Sequence, residues 1–75
     1  MIETPQQILE GSFRIAWDYL QGTGALDKPE PAARFLLDHI ATAMSRGEYR
    51  KLLLSNHAID AYRREQAARD FALVS

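Results

Sequence analysis

Residues 4–22 read TPQQILEGSFRIAWDYLQG, and the spacing of their apolar side chains decides the fold class. Thr4 offers a hydroxyl at a helix start, and Pro5 follows at the first helical position, where its missing N–H costs nothing. At about 100° per residue, Ile8, Leu9, Ser12, Phe13, Ile15, Ala16, Trp17, Tyr19 and Leu20 fall on one arc of roughly 200°. Gln7, Glu10, Arg14, Asp18 and Gln21 fill the remainder. One neighbouring helix cannot cover so wide an arc, so this helix is expected to be sandwiched, either within the chain or across a dimer. Gly11 sits at the edge of the arc. Inside a helix it costs about 1 kcal/mol relative to alanine, which predicts a close approach by another part of the chain.

The same period recurs downstream. Gly22-Thr23-Gly24 stops the first helix, because glycine reaches the left-handed conformation that helix C-termini need. A phosphate loop would need a third glycine, a preceding strand and a Lys-Ser/Thr ending, all missing here. Asp27-Lys28-Pro29-Glu30-Pro31 opens a second helix, since prolines suit a helix entry and Glu30 favours its positive end. Within residues 32–46, Ala32, Ala33, Leu36, Leu37, Ile40, Ala41, Ala43 and Met44 share a broad face. Phe35 projects instead toward His39, Thr42 and Arg46, where a large aromatic calls for a rolled-over neighbour or an intermolecular contact.

Ser45-Arg46-Gly47 ends that helix. Leu52, Leu53 and Leu54 then spread over three sides of a wheel, whereas Ser55, Ala58, Ile59 and Tyr62 make a stripe. This pattern predicts a break, with Ser55 or Asn56 as an N-cap. The expected architecture is therefore all-α: a single domain over 1–75, with three main helices at about 5–21, 31–45 and 56–70. A short connecting helix at 48–54 joins the last two, and residues 1–4 and 71–75 are expected to fray. After Tyr62 the stripe meets Glu65, Gln66 and Arg69, so the last turns point into solvent or toward a partner. Phe71, Leu73 and Val74 form a small apolar tail that folds back, inserts into a second copy, or frays.

Composition narrows the function classes. The chain has 75 residues, no cysteine and two histidines. Absent cysteine removes disulfides, thiolate metal sites, iron–sulfur clusters and thiol nucleophiles together. His39 and His57 stand alone, without the spacing of a structural zinc site. No cofactor and no metal are expected. A chain this short hides only about 60% of its unfolded surface, and self-association is the stabilising supplement left to it.

No apolar run has the length of a signal peptide or membrane span, so a cytoplasmic protein without a membrane partner is expected. Net charge is −1, but residues 1–45 carry six acids against three bases and residues 46–75 six bases against four acids. That mild polarity makes Arg50, Lys51, Arg63, Arg64 and Arg69 weak candidates for nucleic-acid phosphates, interrupted throughout by acids. A helix-turn-helix register on Gly47 places Ala43 and Leu53 well. It also puts Glu48 and Asn56 where apolar residues are needed.

Catalysis finds little support. Asp38, His39, Ser12 and Ser45 are the residue types of a hydrolytic triad, yet adjacent helical residues point about 100° apart, so Asp38 cannot orient His39. No catalytic residue is assigned. Two functional expectations remain besides nucleic-acid contact. The foremost is a non-enzymatic interaction module that forms a homodimer or binds another protein, with Phe13, Trp17, Phe35 and Phe71 as interface candidates. The other is a ligand pocket around Asn56, His57 and Tyr62.

Overall fold

A computed structural model describes residues 3–26 and 28–74, with side chains through Ala72. Three helices follow one another: α1 (Pro5–Gly22), α2 (Pro29–Ser45) and α3 (Lys51–Val74). Each boundary has a local cause. The Thr4 hydroxyl accepts the Gln7 backbone N–H at 3.2 Å, and the Thr4 N–H donates to Gln7 Oε1 at 2.9 Å, a reciprocal capping box. At the other end of α1, Ala25 N–H donates to Leu20 O at 2.9 Å and Gly24 N–H to Gln21 O at 3.2 Å. These two bonds form a Schellman stop, which needs a left-handed residue. Gly24 supplies it at φ 73°. The end of α2 repeats the device: Gly47 stands at φ 100°, with Glu48 N–H donating to Ala43 O and Gly47 N–H to Met44 O.

The chain runs up, down and up. Lys51, at the start of α3, reaches Glu3 beside the start of α1, whereas Gln66 reaches the turn that follows α1. Helices α1 and α3 are therefore parallel, and all three helices pack on one another. The core is formed by Ala16 and Leu20 of α1, Ala32, Leu36, Ile40 and Met44 of α2, and Leu54, Ala58, Ile59 and Tyr62 of α3. Because both α2 and α3 lie against α1, the wide apolar arc of that helix is covered largely within one chain. Ile15 and Tyr19 remain exposed at its edge. Ser12 and Ser55 are buried, and each donates its hydroxyl to a carbonyl of its own helix, Ser12 to Ile8 at 2.7 Å and Ser55 to Leu52 at 2.9 Å. Their small side chains add no steric bulk to the packed faces of α1 and α3.

The expected break at Ser55-Asn56 does not occur. Residues 48–50 are loop, and α3 continues from Lys51 through Ser55 and Asn56 to Val74. Neither the short helix at 48–54 nor the start at 56 is present. The misreading has a physical origin: it assumed that three consecutive leucines must all be buried. Leu54 is buried, Leu53 half-buried and Leu52 exposed, so one helix accommodates all three. Ser55 caps nothing, since its hydroxyl turns back onto the preceding turn. The helix also runs past residue 70, the expected end of the last helix. Met1, Ile2, Asp27 and Ser75 lie outside the described residues, as do the side chains of Leu73 and Val74 in the expected apolar tail.

Candidate interaction surface

Gly11 explains how the base of the bundle closes. A Cβ at that position would meet Lys51 Cδ at 2.9 Å. The missing side chain leaves a notch across which the Lys51 stem lies, and its ammonium ends 2.8 Å from Glu3 Oε2. The close approach expected at Gly11 is therefore made by a side chain of α3. Just before this point, Glu48 folds onto Arg50. Its carboxylate accepts the Arg50 backbone N–H at 3.1 Å, Nε at 3.0 Å and Nη2 at 3.1 Å. These bonds hold the Glu48 carboxyl at a pKa of about 2, below its ordinary 4.5, and raise that of Arg50.

The basic residues do not form one patch. Arg50 is paired with Glu48, Lys51 with Glu3, and Arg69 with Glu65 at 3.6 Å. Arg63 Nη1 donates to the Tyr19 hydroxyl at 3.5 Å. Arg50 and Lys51 stand at one end of α3 and Arg69 near the other, about 27 Å away at 1.5 Å per residue. Such a scatter among acids is a poor match to a phosphate backbone.

The string Asn56-His57-Tyr62 is divided as well. Asn56 and His57 are exposed, while Tyr62 is buried and packs edge-on against Phe35 with ring centroids 5.9 Å apart. His57 instead borders a shallow groove with His39, Asp60, Ala61 and Arg64. The residue types of a triad are equally dispersed: Ser12 is buried, Ser45 Oγ donates to Thr42 O at 2.6 Å, and His39 stacks on Phe35 at 6.3 Å. Among the described residues, no three His, Asp or Glu side chains gather as metal ligands would. No helix among them is long and apolar enough to cross a membrane.

Of the four aromatic interface candidates, three are committed to packing within the chain. Phe13 and Trp17 stack with centroids 5.5 Å apart and are half-buried against the core, and Phe35 is half-buried between His39 and Tyr62. Phe71 differs. It is 75% exposed on α3 beyond Gln66, the last half-buried residue of that helix among the described side chains. Gln66 itself is tied to the turn after α1 by a 2.6 Å bond from Nε2 to Ala25 O; Arg69 and Asp70 still line a groove with Lys28 and Pro31 at the start of α2, and Phe71 lies on the overhang beyond them.

At the opposite end of the same helix, Leu52 is 70% exposed. Sequence reasoning missed it as a surface residue. The signal was present, however: in a continuous helix Leu52 shares a face with Asn56, Asp60 and Arg63, and a leucine within a polar stripe is out of place. Compared with known proteins, the chain matches no family model, no curated sequence and no solved structure.

Proposed function

We propose that this chain is a small, non-enzymatic, cytoplasmic interaction module that self-associates through the solvent-facing side of α3. One observation supports this most directly: the outward face of a single helix carries two large apolar side chains, Leu52 at 70% and Phe71 at 75% exposed. A lone exposed leucine is ordinary on a monomer surface. Two on one face, the second on turns that overhang the bundle, are better suited to a surface that meets another helix. The size of the chain agrees, because a 75-residue bundle gains proportionally more than a large domain from apolar area buried in a dimer.

Sedimentation equilibrium from micromolar to millimolar concentration tests the reading. The expected result is a monomer–dimer equilibrium that Phe71→Ser shifts toward monomer without loss of helicity. A strict monomer across that range excludes self-association.

A further inference from the structure

Resting on that reading, we infer that two copies pair antiparallel along α3, related by a two-fold axis that crosses the helix between Ala61 and Tyr62. The outward stripe of α3 consists of Leu52, Asn56, Asp60, Arg63, Ala67 and Phe71, all exposed. Their spacing is four, four, three, four and four residues, which at about 100° per residue confines them to a band roughly 100° wide. That band faces away from Leu54, Ala58 and Tyr62; its Leu52–Arg63 edge adjoins buried Ile59 and the Arg63–Tyr19 hydrogen bond to α1, and a second helix meets it across its exposed side chains. The spacing reads the same in both directions, with an apolar side chain at each end and opposite charges at the centre. An antiparallel copy centred between residues 61 and 62 places Leu52 against the second copy's Phe71, Asn56 against Ala67, and Asp60 against Arg63. Each contact occurs twice, as a closed two-fold interface requires.

Other arrangements lose this match. A parallel pair sets Asp60 against Asp60 and Arg63 against Arg63, and like charges at a helix seam disfavour it. Moving the axis by two residues toward the C-terminus sets Arg63 against Arg64 and takes Leu52 off Phe71. Opposite charges at the centre with apolar contacts at both ends thus select one direction and one register. The overhang of α3 gains a role: its Phe71 reaches the Leu52 end of the second copy, beside the loop at 46–50.

Because the chain contains no cysteine, single cysteines report the register cleanly. Under oxidising conditions, a mixture of Asn56→Cys and Ala67→Cys chains is expected to form the mixed disulfide, whereas Ala67→Cys alone gives little. Asp60→Arg alone and Arg63→Asp alone are each expected to weaken dimerisation at least tenfold. The double swap restores it, and the two single variants pair with each other when mixed. All these positions are exposed, so circular dichroism of each variant should match the parent. Efficient cross-linking of Ala67→Cys alone, or dimerisation indifferent to the charge swaps, overturns this pairing while leaving self-association intact. A chain that stays monomeric at millimolar concentration overturns both.

Discussion

At the scale of single residues, Gly11 and Glu48 show how local chemistry sets the base of the bundle. Gly11→Ala would remove the notch over which Lys51 lies, but the obstructing atom belongs to a flexible side chain. The displaced ion pair is exposed and contributes about 0–1 kcal/mol, whereas alanine gains about 1 kcal/mol over glycine in a helix interior. Gly11→Ala should therefore be neutral to stabilising, and its gain should be larger in a Lys51→Ala background, where nothing is displaced. Thermal unfolding of the four chains checks this, since 1 kcal/mol moves the midpoint by about 4–8 °C at this size. Glu48 makes a prediction in pH. Folding holds its carboxyl at about 2 through the Arg50 bonds, below the ordinary 4.5, so the folded state favours the ionised form. That contribution is complete above pH 4.5 and is lost as pH falls toward 2. Glu48→Gln should flatten the fall in stability over that window and leave the pH dependence above 5 unchanged, as urea titrations at stepped pH would record.

At the scale of helices, the capping chemistry was the most readable part of the sequence. Thr4-Pro5, Pro29-Pro31, Gly24 and Gly47 act locally, and the helix boundaries they mark agree with the structure to within two residues. The tri-leucine was unreadable for the opposite reason, because whether Leu52 faces core or solvent depends on where α1 ends its coverage of α3. The same holds for Phe35, whose partner Tyr62 lies 27 positions away on another helix. For the candidate surface, Phe71 was visible as an apolar residue after a polar segment. Leu52 became visible only once Ser55 and Asn56 were known to be helical. Asn56 discriminates the two descriptions by experiment. As an N-cap its replacement by alanine would cost about 1 kcal/mol; as an exposed interior residue of α3, Asn56→Ala should stabilise by a few tenths of a kcal/mol, through helix propensity. Chemical denaturation at a concentration where the chain is monomeric gives the sign.

At the scale of the whole molecule, stability and association are assigned to different parts of α3. A 75-residue chain holds on the order of 4–11 kcal/mol in total. Leu36→Ala or Ile40→Ala, each fully buried at the centre of α2, removes about 2–5 kcal/mol and should leave the chain at the edge of folding. The overhang stands apart from this core, because every side chain from Ala67 to Ala72 is exposed. A chain ending at Ala67 keeps Tyr62, Gln66 and the bond to Ala25, and loses the Arg69–Glu65 ion pair and the exposed side chains from Ala68 to Ala72. Its thermal midpoint at low micromolar concentration should fall within a few degrees of the parent. The parent's midpoint should rise with concentration, because a dimer of folded chains draws the unfolding equilibrium toward the native state by mass action. The shortened chain, lacking Phe71, should show a midpoint independent of concentration. Scanning both chains across a hundredfold range of concentration separates the two roles of α3: parallel curves would place the association surface elsewhere on the bundle, and a collapse of the shortened chain would show that the overhang is part of the fold.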